Sequence, residues 1–165
     1  MQRLITGVSQ GMALIGGLVL LGIVVMTCLS VVGREVGLGE ITGNYEILEA
    51  GVAFAIFSFF PICQLYNGHA TVDVFTSGLR PSALLILRAF WELILAAIIV
   101  FIAWRLEGGV ERYLRNGETT FFLQFPVWWA YSAAFFAASV AAIVALYCAF
   151  ARVCEAVTGL SLIHI

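Results

Sequence analysis

The sequence predicts an all-α membrane protein with four transmembrane helices joined by short, partly interfacial segments, forming one integral membrane domain over residues 1–165. Three observations carry that prediction. Of the 165 residues 62% are hydrophobic and only 11% charged, whereas a soluble domain carries roughly a quarter charged residues. Every one of the eight basic residues is arginine, and mean hydropathy is +1.05. Four runs, residues 12–32, 45–66, 83–104 and 126–150, each offer the roughly 20 apolar residues needed to cross a hydrocarbon core. No internal repeat relates them.

The first run, MALIGGLVLLGIVVMTCLSVV, is longer than the roughly 7–15 residues of a signal-peptide core. It is followed by GREVG rather than a small-residue cleavage site, so it is expected to be kept as a helix. The second run is bracketed by Tyr45 and Tyr66, 21 residues apart. At about 1.5 Å per residue that is about 31 Å, the thickness of the core, with each tyrosine at an interface. Pro61 removes a backbone donor inside this run and predicts a kink near Phe57, and Gln64, Asn67 and Gly68 end it. Trp91 and Trp104 bracket most of the third run. The fourth opens with FPVWWAY, in which Pro126 suits a first helical position and Trp128, Trp129 and Tyr131 form an interfacial belt. Alanines then recur at 130, 134, 138 and 142, and at 133, 137, 141, 145 and 149. Alanines four apart make a smooth strip for close helix approach, which marks Ala134 and Ala137 as helix-packing candidates. Gly7, Gly11, Gly16, Gly17 and Gly22 suggest a similar face on the first helix.

The connections carry most of the charge. The longest, residues 105–125, is expected to hold a short interfacial helix of about two turns, with Val110, Tyr113 and Leu114 on its apolar face and Gly108, Gly109 and Gly117 limiting its length. Four spans place both termini on one side. Arginine does not say which side, because Arg3, Arg80, Arg88 and Arg152 fall on one face of the membrane and Arg34, Arg105, Arg112 and Arg115 on the other.

Charges inside a membrane are costly and are candidates for function. Glu46 and Glu49 open the second helix, where the macrodipole favours an acid. Arg88 and Glu92 stand four apart on the third and are placed to pair. His69 and Asp73, in the exit stretch NGHATVDVF, are half of a metal site at most. The second histidine, His164, lies outside any span, so a bis-histidine haem within one chain has no ligand pair. The pair reads instead as an architectural plug, with Asp73 within reach of Arg80 or Arg88. Cys28, Cys63, Cys148 and Cys154 show no paired spacing and read as buried free thiols. No cofactor and no catalytic residue is expected, and a net charge of −2 suggests no nucleic-acid partner.

In order and spacing these residues resemble the small, DctQ-type membrane subunit of tripartite ATP-independent periplasmic (TRAP) transporters. Arg34 ends the first helix, and Glu46 opens the second. Twenty-three residues on comes the G-H-x-x-V-D pattern, Gly68-His69-Ala70-Thr71-Val72-Asp73. Phe60, Pro61, Gln64 and Leu65 before it, and Pro126, Trp128 and Tyr131 later, also match members. The run FSFF, Phe57–Phe60, stands where the family often has a small residue. The resemblance implies a scaffold in the bacterial inner membrane with cytoplasmic termini. Its partners would be a large multi-span subunit, a periplasmic substrate-binding protein and the lipid bilayer. The system would import organic anions on an ion gradient, usually sodium. Arg34, Glu46, His69, Asp73 and Arg88 become structural or interface candidates, with no substrate-binding residue expected in this chain. Two other readings stand beside it. One is a membrane anchor of a respiratory oxidoreductase; the other is a small homodimeric proton-coupled carrier relying on Glu49 or Glu92.

Overall fold

The computed structural model describes residues 2–37, 39–66 and 81–158. Four helices account for nearly all of them: α1 (Gln2–Glu35), α2 (Asn44–Leu65), α3 (Pro81–Asn116) and α4 (Val127–Thr158). All four are long and apolar enough to cross a membrane. Each has a local reason to begin or end. The α1 helix closes with Gly37 at φ +80°, and its amide donates to the Arg34 carbonyl at 3.3 Å. Gly43, at φ +78°, caps α2, and its carbonyl receives the amides of Glu46 and Ile47 at 3.1 and 3.2 Å. α3 starts on Pro81, whose missing amide is no loss in a first turn. It stops at Gly117, φ +64°, whose amide returns to the Tyr113 carbonyl at 3.1 Å. α2 runs as one element through Pro61, which is fully buried.

The bundle is ordered α1–α2–α4–α3. α4 packs on both α2 and α3, while α1 lies outside α2 and meets α4 only slightly. The alanine strip explains the central place of α4. Ala134, Ala137, Ala138, Ala141, Ala142, Ala145 and Ala149 are all buried, whereas Ala133 is exposed. Ile99 and Ala103 of α3 meet Ala138, Ala141 and Ala142, and Phe57 and Phe60 of α2 pack against the same cluster. The bulky FSFF run therefore fills the room that the alanines leave. On its other face α2 meets α1. A Cβ built on Gly16 would lie 2.7 Å from Ser58 Cβ, and one on Gly51 would collide with Ile23.

Three expectations need correction. The stretch 105–116 is not a separate interfacial helix but the continuation of α3, 36 residues long. Gly108 and Gly109 lie within it, and Gly109 faces α4: a Cβ there would lie 2.7 Å from the Tyr131 ring. A Glu111–Arg115 pair at 3.1 Å supports the last turns. Second, the α1 glycine face packs within this chain only in part: Gly16 and Gly17 meet α2, while Gly7, Gly11 and Gly22 have nothing of this chain within 4 Å and stay open to another subunit. Third, none of the four cysteines is in a disulfide, but only Cys148 is buried, and Cys28 faces outward. In a bilayer an outward apolar position is still dry, so a thiol there is unremarkable.

Overpacking a tight contact costs about 1–3 kcal/mol, which separates the two kinds of glycine. Gly16→Val is expected to lower the resistance of the purified chain to denaturing detergent by about that amount, with Gly22→Val unchanged. Ala137→Phe is expected to disrupt the α4 packing more severely. Unfolding titrations of the three variants check this.

Candidate functional site

Among the described residues the carboxylates that hold one helix to another segment, Glu46 and Glu92, stand at opposite ends of the bundle. At one end the carboxylate of Glu46, in the first turn of α2, reaches the connection between α3 and α4. The Phe122 amide donates to Glu46 Oε1 at 2.7 Å and the Leu123 amide to Oε2 at 3.0 Å. That connection is itself ordered. Thr119 and Pro126 form an isolated antiparallel bridge. The Thr120 amide donates to the Phe125 carbonyl at 2.9 Å, and the Val127 amide to the Glu118 carbonyl at 3.1 Å. The Phe125 amide donates to Thr120 Oγ1 at 3.2 Å. Gln124 takes a left-handed φ of 52° to close the turn. The Leu123 side chain presses on Gly43, where any Cβ would collide with it. Gly43 thus answers two demands at once, a positive φ and a close approach.

The neighbouring connection is pinned in the same way, the Ile41 amide donating to Ser30 Oγ of α1 at 3.1 Å. Close by, Tyr113 of α3 and Tyr131 of α4 stack with ring centroids 4.6 Å apart. A cavity of about 420 Å³ opens between α2, α3 and α4 at this end. Glu46 and Glu49 stand at its rim and Ala53, Phe57, Leu106 and Ala134 line it.

At the other end the buried contact joins α2 to α3: Gln64 Nε2 donates to Glu92 Oε2. Glu92 is only 8% exposed and Gln64 is fully buried. Leu65 lies in the same layer, packed with Val144 and Cys148 of α4 and Ile5 of α1. One turn further along α4, Arg152 and Glu155 pair at 2.9 Å and are largely covered. A buried carboxylate has to be paired or hydrogen-bonded, and an amide side chain from α2 meets that need while fixing the height of α2 against α3.

These positions can be set against the sequence candidates. Glu46 is brought to the 118–126 turn. Arg34 is exposed in the last turn of α1, 3.9 Å from Glu35. Arg88 is exposed on α3. Glu92 is held by Gln64, although the spacing pointed to Arg88. His69, Asp73 and Arg80 lie outside the described residues, as does the proposed reach of Asp73 to Arg80 or Arg88. Ala134 and Ala137 are buried between helices. Gln64, Ser30 and the amides of Phe122 and Leu123 were missed as clasp partners. Nothing in a local pattern joins Glu46 to amides 76 and 77 residues away. Among the described residues, no three His, Cys, Asp or Glu side chains come together as a metal site.

Fold and site together define a multi-pass membrane protein whose polar side chains brace its own helices. The family model for tripartite ATP-independent periplasmic transporters, DctQ component, matches residues 23–156. The chain therefore belongs to the DctQ family: it is a small permease subunit of a TRAP transporter, a transport component and not an enzyme. Comparisons with curated proteins and with solved structures each gave no match.

Both clasps can be tested apart. Glu46→Ala is expected to speed amide hydrogen exchange at Phe122 and Leu123 while leaving helical content unchanged, with Glu46→Gln between the two. Gln64→Leu removes a donor from a buried carboxylate, a loss of about 1–3 kcal/mol. Detergent unfolding checks the second, and exchange measured by mass spectrometry the first.

Proposed function

We propose that this chain is the fixed scaffold of its transporter, residing in the bacterial inner membrane and binding and stabilising the large multi-span subunit. That partner, not this chain, would carry the substrate and the coupling ions. The observation that supports this most is how little of its apolar surface the chain covers by itself. The most apolar 18-residue windows of α1, α2 and α3 are only 17%, 17% and 22% buried, against 50% for α4. Helix association in lipid rests on packing rather than on water exclusion. Open apolar faces on the outer helices α1 and α3, flanking the inner pair α2 and α4, suit a frame that a larger partner completes.

On this reading both termini are cytoplasmic, as the family resemblance implies. The Glu46 end is then periplasmic and the Glu92 end cytoplasmic, with His69, Asp73 and Arg88 on the cytoplasmic side. The last turns of α3, with Glu107, Glu111, Arg112 and Arg115 exposed, offer charged surface to a periplasmic substrate-binding protein. The transported compounds would be organic anions taken up on an ion gradient, sodium being the usual one in the family.

The test is to tag the chain in its native membrane, purify it in mild detergent and identify what accompanies it. A colourless polytopic partner in equal amount supports the scaffold. A haem absorption band or a soluble redox subunit would instead make the chain a respiratory anchor. Transport by the chain alone, lost in Glu49→Gln or Glu92→Gln, would make it a carrier. In the assembled system Asp73→Asn and Arg88→Ala are expected to reduce recovery of the large subunit several-fold, with the substrate affinity of the binding protein unchanged.

A further inference from the structure

The connection between α3 and α4 ends in a tip with unusual exposure. Phe121 is 86% exposed, Phe122 61% and Leu123 41%. The two phenylalanine rings meet edge to face, 5.8 Å being the corresponding spacing of Phe90 and Trp91 and 5.3 Å theirs. We propose that the 118–126 turn is a lipid-interface wedge, its Phe121–Phe122 tip entering the boundary between headgroups and acyl chains and held at that depth by Glu46.

Depth is the first argument. α2 has 22 residues, which at about 1.5 Å each is about 33 Å, close to the thickness of the hydrocarbon core. Glu46 stands in its first turn and therefore at the core boundary, and the tip is hydrogen-bonded to Glu46. Tyr45 and Trp129, both exposed at the starts of α2 and α4, mark the same level with side chains that favour that boundary.

Backbone chemistry is the second. A loop that approaches hydrocarbon must satisfy its amides internally, because lipid offers no partner for them. Here the amides of Thr120, Phe122, Leu123 and Phe125 all have acceptors within the protein. An ordinary water-facing turn has no such need.

Charge is the third. Residues 121–125, FFLQF, carry none; Glu118 stands at the base of the turn and Glu46 behind it, and the other charges at this end, among them Glu107, Glu111, Arg112 and Arg115 on the last turns of α3, lie outside the tip. The end of the bundle thus separates a polar surface suited to water from an apolar tip suited to lipid.

The test uses the full chain in its native membrane, with p-benzoyl-phenylalanine in place of Phe121 or of Phe122, and in place of Asn116 as a control at the end of α3. Illumination joins the benzophenone to neighbouring C–H bonds, and mass spectrometry identifies the adduct. A lipid adduct at Phe121 and Phe122 several-fold above that at Asn116 is expected, falling several-fold when Glu46→Ala is added to a chain of unchanged helical content. Adducts to another protein, or lipid adducts no more abundant than at Asn116, would overturn the wedge. An unchanged yield in Glu46→Ala would overturn the role given to Glu46. None of these outcomes depends on whether a large subunit copurifies, so this inference and the scaffold reading fail separately.

Discussion

The structure depends on how closely α4 lets its neighbours approach. Lipid removes the usual advantage of burying apolar groups, since a leucine is as well accommodated against an acyl chain as against another helix. What remains is contact between surfaces that fit, and alanine makes such surfaces by keeping side-chain volume and ordering entropy low. Along α4 the strip runs from Ala134 to Ala149 and faces two helices at once. The partner surfaces supply the missing volume: Phe57 and Phe60 from α2, Ile99 from α3. At the α1–α2 contact the same logic is met by Gly16 against Ser58 and by Gly51 against Ile23. Each interface pairs a small residue on one helix with a larger one on the other.

Packing of that kind is smooth and by itself leaves helices free to slide. The polar contacts supply register. Gln64 and Glu92 match a height on α2 to a height on α3, in a layer where an unsatisfied carboxylate is costly. Glu46 sets the other end by binding two successive amides of the α3–α4 connection. Because a carboxylate has two acceptor oxygens, it fixes the orientation of that turn as well as its position. Placing such groups near the ends of the bundle keeps the middle apolar and limits the desolvation that each one undergoes.

This division explains why a membrane transport component has its acids where it does. In a carrier, ionisable residues are expected to face a path through the membrane. Here the acids with defined partners face their own chain, Glu46 an amide pair, Glu92 an amide side chain and Glu155 an arginine. Meanwhile α1 turns Leu14, Leu18, Leu21 and Leu29 outward. The result is a brace with satisfied polar ends and open apolar flanks, consistent with membership of the DctQ family.

The sequence by itself determined the class and the number of helices, because hydropathy over about 20 residues is a local property that the bilayer reads directly. It also determined the alanine strip, since a spacing of four on a helix puts residues on one face whatever they meet. Tertiary structure decided what that strip touches and what each polar group holds. Glu92 has a favourable-looking partner four residues away in Arg88, yet it is bonded by Gln64, because the protein interior rather than the helix surface is where the carboxylate lies. Gly108 and Gly109 read as helix breakers, yet they lie within α3, where Gly109 leaves Tyr131 of α4 the space that a side chain would take. Glu46 reads as a helix-start acid, and only the return of the chain at Phe122 and Leu123 shows what it binds. In each case local preference was weak, and a contact between distant segments outweighed it.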